Sequence, residues 1–314
     1  MPETVFMFSG QGSQYFHMGR SLYDGNPAFR SWMLRLDEMA RAAGAPVLDT
    51  LYADSNTKGQ PFDRTLFTHP AIFMVEYSLA QALMESGVRP DLVLGVSVGS
   101  FAAAAVAGFV DVEDALKAVI RQAMAVEEAS EPGGMIAILA DPVLFAEEFL
   151  RGHSELAGVN FSTHFVVSAK RSELAPIEST LKQRNVTHQR LPVVVPFHSK
   201  WIDDARVPFE TYMRSVSYKP ARLPMACSDR TEVMSELSTG YFWDVVRNPI
   251  RFRETAARLE EQASRRWVDV GPGGTLATFL KYGLPPGPKS TVHSILTPFG
   301  TDQKNFAALT AAGH

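Results

Sequence analysis

Residues 92–107 constrain the fold of this chain more than any other stretch. Leu92-Val-Leu-Gly-Val-Ser97 is a short apolar run suited to a buried strand, and small residues from Ala102 to Ala107 suit a helix packed at close range. Between them lies Gly95-Val-Ser97-Val-Gly99, a G-x-S-x-G pattern. A serine on a sharp strand-to-helix turn projects its hydroxyl off the sheet, and flanking glycines leave room for the turn and the helix behind it. In that geometry the start of the helix also presents the backbone N–H of Val98 to a developing oxyanion. A glycine-rich turn with an incidental serine is the plainer alternative, and the strand before and helix after weigh against it.

The rest of the chain supports an α/β architecture. Thr4-Val-Phe-Met-Phe8 is a buried-strand pattern that stops at Ser9-Gly10-Gln11-Gly12, and amphipathic stretches follow at 27–43 and 71–86. In the second of these, Ile72, Val75, Leu79 and Leu83 recur at helical spacing. After Ala129 the pattern changes. Strand 135–139, helix 142–151, strands 156–161 and 165–169, helix 173–184 and strand 188–194 make a βαββαβ order, the ferredoxin-like arrangement. The first kind of patterning resumes after Pro196, with a strand at 267–270, Gly271-Pro-Gly-Gly274 and an alanine-rich closing helix after Lys304. The expected organisation is a discontinuous catalytic domain (1–129 and 196–314) holding a ferredoxin-like insertion (130–195).

Composition narrows the function. With 30 Lys+Arg against 34 Asp+Glu the net charge is −4, which gives no general pull toward nucleic acid. The one cysteine, Cys227, excludes a disulfide framework and a cysteine-rich zinc site; it lies far from every motif in sequence, so the nucleophile is expected to be serine. No apolar run approaches the roughly 20 residues that span a bilayer, and the start of the chain lacks a signal-like segment. A soluble, cytoplasmic monomer with no metal, membrane or nucleic-acid partner is expected.

A serine nucleophile needs a base. Of eight histidines, His198 stands out in Val195-Pro-Phe-His-Ser199, where the insertion returns to the main domain. His17, His69, His153, His164, His188, His293 and His314 lack such placement. Asp203 and Asp204 follow His198, but a helix turn is not a triad geometry by itself. Ser9-Gly-Gln-Gly-Ser-Gln14 lacks the third glycine of a dinucleotide fingerprint, because Tyr15 stands there. It reads either as a plain turn or as a loop whose backbone N–H groups, that of Gln11 above all, face the active site.

Taken in order, Gly10-Gln-Gly-Ser-Gln14, Gly95-x-Ser97-x-Gly99, Pro196-Phe-His198-Ser199 and Val270-Gly-Pro-Gly273 resemble the malonyl-CoA:acyl carrier protein transacylases and polyketide synthase acyltransferases. Thr68-His-Pro-Ala71 and Asn248-Pro-Ile-Arg-Phe252 extend the resemblance over almost the whole chain. It implies an α/β-hydrolase-like domain with a ferredoxin-like insertion, no bound cofactor, and chemistry on phosphopantetheine thioesters of acyl carrier protein or CoA. It further implies that Ser97 attacks the thioester with His198 as general base, that the N–H groups of Gln11 and Val98 hold the oxyanion, and that a backbone carbonyl, matched here to Val245, orients the histidine.

The departures from that family bear on the substrate. Where family members carry histidine before the nucleophile, this chain has Val96. They also carry an arginine about 25 residues after the serine, whose guanidinium pairs with the free carboxylate of malonyl groups. Counting forward from Ser97 along an unbroken helix reaches Gln122, whereas counting back from Gly134-Met135 reaches Arg121. Gaps are tolerated in the Glu131-Pro-Gly loop more readily than in a buried helix, which favours Gln122 in the pocket; one residue is a rotation of about 100°. A neutral glutamine does not offset the desolvation of a buried carboxylate. Ser100 in place of a common glutamate, and a shortened loop at Phe161-Ser-Thr163, accompany these changes. The pattern is similar to the acyl hydrolases of trans-acyltransferase polyketide pathways, which release acyl groups from carrier proteins to water. A transacylase that loads malonyl or another acyl unit from CoA is the alternative, favoured by the nearness of Arg121 and by Phe197 before the histidine. Because carrier proteins are acidic, Lys200, Arg247, Arg251 and Arg253 are candidates for a docking patch, or else an ordinary solvated face.

Overall fold

A computed structural model of the chain describes residues 2–284 and 289–311, so His314 lies outside the described residues. The chain opens with strand β1 (Glu3–Phe8) and, after a long helical passage, β2 (Leu92–Gly95). Strands β3 (Gly133–Leu139), β4 (Glu155–Phe161), β5 (His164–Lys170) and β6 (Thr187–Arg190) follow as one group. Then come β7 (Met225–Cys227), β8 (Glu232–Met234), β9 (Arg265–Asp269) and β10 (Thr291–Ser294).

Six strands form the main sheet in the order β10-β9-β1-β2-β7-β8, parallel except for the antiparallel edge strand β8. β1 and β2 sit at its centre and are buried on both faces. Alternation assigns the faces: Val5 and Met7 pack with Leu92, Leu94 and Trp267, whereas Phe6 and Phe8 join the larger core on the other side. Each fully buried Phe contributes about 1.5–3 kcal/mol relative to exposure. All nine residues of helix Gly99–Ala107 are buried, so its alanines serve close packing rather than solvation. The four remaining strands form a second sheet, order β4-β5-β3-β6, with every pair antiparallel. With its helices it is the expected ferredoxin-like unit, inserted into the α/β-hydrolase-like unit.

Two local expectations differ from the structure. The helix expected over 142–151 is a 3₁₀ turn, Pro142–Ala146, followed by a short α-helix, Glu148–Arg151. Asp141 caps the turn through the Val143 N–H. The strand expected to reach Val194 leaves the sheet after Arg190, because Pro192 has no N–H for the ladder and Val193 N–H turns back to the Leu191 carbonyl. Among the described residues no helix is long and apolar enough to cross a membrane, and no group of three or more His, Cys, Asp or Glu side chains is placed to hold a metal ion.

The topology positions the site. β1, β2 and β9 are neighbours running in the same direction, so the loops at their carboxyl ends, 9–14, 96–99 and 270–274, converge on one edge. That edge, beside the reversal of strand order, is where open α/β sheets bind ligands.

Candidate active site

Ser97 occupies the turn between β2 and helix Gly99–Ala107 with φ of 53°, the left-handed region that costs a non-glycine residue strain. The flanking glycines are dictated by contact. A Cβ at Gly95 would lie 2.4 Å from Ser100 Cα, and one at Gly99 would lie 2.4 Å from the Phe8 carbonyl oxygen. The turn therefore packs against the end of β1 with no space for a side chain, and its strain is held by the surrounding core.

His198 meets the serine from the other side of a cleft. Its Nε2 stands 2.9 Å from Ser97 Oγ, and its own φ is 59°. Nδ1 lies 2.7 Å from the Asn248 carbonyl oxygen. A carbonyl only accepts, so Nδ1 carries the proton and Nε2 presents its lone pair to the Ser97 hydroxyl. The His198 N–H donates to the Val246 carbonyl at 3.0 Å, which fixes the ring's backbone as well. Burial pushes the His198 pKa down to about 4, against the opposing pull of the Asn248 carbonyl. The imidazole is thus neutral near pH 7.

Asn248 replaces Val245 as the orienting group. Val245 lies inside helix Tyr241–Arg247, whereas Asn248 is the extended residue that ends it, and its carbonyl turns out toward His198. Spacing alone did not distinguish these positions, because any residue of that helix end offers a free carbonyl. Gln11 and Val98 both stand beside Ser97, and neither backbone N–H is used in a hydrogen bond among the described residues. The two amides are available to an oxyanion.

A cavity of about 240 Å³ opens at Ser97 and His198 between the two units. Val96 and Phe197 line it near the serine; Met135, Ala137 and Val166 contribute an apolar wall from the inserted sheet. Among the described residues, no lysine, arginine, aspartate or glutamate lines it. Its titratable lining groups are His198 and His164, and burial lowers the pKa of both.

Helix Val112–Ala129 separates the two competing positions. Gln122 is fully buried and directed inward, whereas Arg121 is exposed and lies over the Tyr212 ring at 5.7 Å. Arg121 is therefore not a pocket residue. Gln122 does not line the cavity; it stands behind His69, which in turn stands behind the lining residue Gln11. His69 Nδ1 is 2.9 Å from the Gln122 carboxamide, and His69 Nε2 is 3.0 Å from Gln11 Oε1. Burial lowers the His69 pKa to about 4, so the ring is neutral and has one N–H. It donates to Gln11 Oε1. The Gln122 Nε2 has no partner among the described residues, so a half-turn of that carboxamide lets it donate to Nδ1. The signal for His69 lay in Thr68-His-Pro-Ala71, but its helix is buried almost throughout, and nothing in the pattern marked one side chain as facing a site.

Cys227 is not remote in space: it pairs across the sheet with Gly95. Its thiol is buried and burial raises its pKa, which keeps it out of the chemistry. The basic candidates are mostly neutralised. Lys200 pairs with Glu155, Arg247 with Asp203 and Arg251 with Glu254; Arg253 is exposed with no carboxylate in ion-pair range among the described residues.

The family described as "Acyl transferase domain" matches residues 5–314. The chain is 45% identical over 304 residues to "Polyketide biosynthesis acyltransferase homolog BaeD" of Bacillus velezensis, covering 96% of this chain and 94% of the relative. It is 41% identical to "Polyketide biosynthesis acyltransferase homolog PksD" of Bacillus subtilis, covering 96% and 94%. Among solved structures, a loading acyltransferase from the avermectin modular polyketide synthase is similar with a TM-score of 0.89 at 25% identity, covering 98% of this chain and 99% of the other. By the match along its whole length and by these relatives, the chain belongs to the acyl transferase domain family.

Proposed function

We propose that this protein hydrolyses uncharged acyl groups from the phosphopantetheine thioesters of acyl carrier proteins in polyketide biosynthesis. The observation that carries the reading is the cavity at Ser97, which is largely apolar and, among the described residues, is lined by no lysine or arginine. A dicarboxylic acyl group entering it would lose hydration with no countercharge in return. Gln122, standing where relatives of the resembling family carry arginine, and Val96, in place of histidine, support the same conclusion.

In the proposed reaction Ser97 Oγ attacks the thioester carbonyl as His198 Nε2 takes its proton. The Gln11 and Val98 N–H groups hold the oxyanion; collapse breaks the C–S bond, and His198 returns the proton to the leaving thiolate. Water then attacks the acyl-serine with His198 again as base, releasing the carboxylic acid and free Ser97. The relatives' description as acyltransferase homologues favours a second reading, in which a carrier-protein thiol takes the place of water.

Mass spectrometry of the protein quenched after mixing with acetyl-S-pantetheine tests the shared step. An acetyl adduct on the Ser97 peptide, lost in Ser97→Ala, is expected. Folded wild-type protein that neither forms the adduct nor releases thiol overturns the reading.

A further inference from the structure

Glu76 lies on helix Thr65–Glu85 and plays no part in the chemistry above, yet it is fully buried. Its Oε1 accepts the Ser9 backbone N–H at 2.6 Å and the Ser9 hydroxyl at 2.9 Å. Ser9 Oγ is 3.0 Å from Ser13 Oγ, and the Ser13 hydroxyl donates to the Gly10 carbonyl at 2.8 Å. On the opposite side the loop after β9 closes on the same hydroxyl: a Cβ at Gly271 would fall 2.2 Å from Ser9 Oγ. That loop is itself tied by buried Asp269, whose carboxylate accepts the N–H groups of Gly271 and Ala277, both at 2.8 Å. Ser9 is thus held between the buried Glu76 carboxyl and Gly271, whose backbone Asp269 ties down.

The clamp controls the residues that follow. Gly10 rests on the nucleophile, since a Cβ there would lie 2.9 Å from Ser97 Cβ, and Gln11, whose N–H makes no hydrogen bond among the described residues, lines the cavity. The Gly10 and Gln11 backbone has no strand pairing of its own, because β1 ends at Phe8. We infer that Glu76 is a positioning residue: through Ser9 and Ser13 it holds the 9–14 loop so that the Gln11 N–H sits at the oxyanion position beside Ser97. The Val270-Gly-Pro-Gly273 motif supplies the other jaw, which gives the glycine at 271 a reason the nucleophile alone does not. Burial, with the nearby Asp269 adding to it, pushes the Glu76 pKa well above the usual carboxylate range. Its Oε2 has no hydrogen-bond partner among the described residues, so a glutamine there breaks no bond on that side.

The inference rests on the proposed acyl-serine chemistry, and the experiment separates the two. Glu76→Gln and Glu76→Leu are compared with wild type for acetyl-S-pantetheine turnover, with active sites counted by a serine-directed fluorophosphonate. Glutamine keeps the acceptor; leucine fills the space without one. Losing a positioned oxyanion donor costs about 10²–10³ in kcat, so a displaced one should cost Glu76→Leu about 10–100-fold in kcat per labelled site. KM should stay within about 3-fold, and Glu76→Gln should recover most of the rate. A merely structural role would lower the fraction of labelled protein and leave kcat per labelled site unchanged. If Glu76→Leu does not fold, Ser13→Ala removes the tether to Gly10 and is read in the same way. Wild-type kcat per site in Glu76→Leu or, where that variant does not fold, in Ser13→Ala, or Glu76→Gln as impaired as Glu76→Leu, overturns the inference. Absence of turnover in wild type overturns the functional reading instead.

Discussion

Gln122→Arg places the strongest demand on the selectivity argument. Gln122 is fully buried and linked to the cavity wall through one imidazole, with contacts of 2.9 Å to His69 and 3.0 Å from His69 to Gln11. An arginine at this position puts a full charge roughly 7 Å from a carboxylate bound beside Gln11, worth about 2 kcal/mol at an effective dielectric near 20. That energy corresponds to about a 30-fold shift in the malonyl-to-acetyl ratio of Ser97 acylation. Neutral His69 can accept one guanidinium N–H at Nδ1, but the rest of the charge is buried without a partner. The unliganded variant should therefore lose about 3–5 kcal/mol of stability and regain part of it with malonyl bound. Acylation from an equimolar mixture of malonyl- and acetyl-CoA, read by intact-protein mass spectrometry, measures the ratio; a thermal melt confirms folding. An unchanged ratio in folded Gln122→Arg would show that position 122 does not reach the acyl group, and the reasoning from its neutrality would fall.

Three further outcomes follow from the site. Because His198 must be neutral to accept the serine proton and its pKa is lowered to about 4, kcat/KM should be level across pH 6–8 and fall only below about pH 5; an acid limb near 6.5 would contradict the buried, carbonyl-bonded ring. Gly99→Ala drives a Cβ into the Phe8 carbonyl at 2.4 Å, so the elbow must shift, and a stability loss of several kcal/mol in chemical denaturation with loss of Ser97 labelling is expected. Arg253→Glu should raise the KM for an acyl carrier protein several-fold and leave that for acetyl-S-pantetheine unchanged, whereas Arg247→Glu should do less because Asp203 already pairs with that arginine; equal effects would remove Arg253 from the docking surface.

What the sequence made legible was what is local. The elbow at Gly95–Gly99 announces itself because tight turns and close backbone approach demand glycine at fixed offsets. The insertion is readable because its helices and strands alternate with clear periods. Strands β7, β8 and β10 carry three or four residues each, too few to show a period, and they gain their place from neighbours distant in sequence. The same long-range pairing brought Cys227 beside Gly95. Asn248 and Glu76 were hidden for different reasons. The first acts through a carbonyl, a group every residue has. The second sits in a helix whose faces are nearly all buried, so its carboxyl gave no amphipathic contrast to mark it. His69 shares that helix, and its place depends on Gln122 and Gln11, one on each side of its ring and both distant in sequence.

In the proposed reaction this cavity takes uncharged acyl groups from a carrier protein and gives them to water. Acetyl- and malonyl-loaded acyl carrier protein, each incubated with the protein in the presence and absence of an unloaded second carrier, tests it most directly by following free acid and acyl transfer together. Acetate is expected to be released at a rate that the second carrier does not suppress, with malonyl-carrier protein left largely intact. Rapid malonyl transfer to the second carrier with negligible acetate release would contradict it.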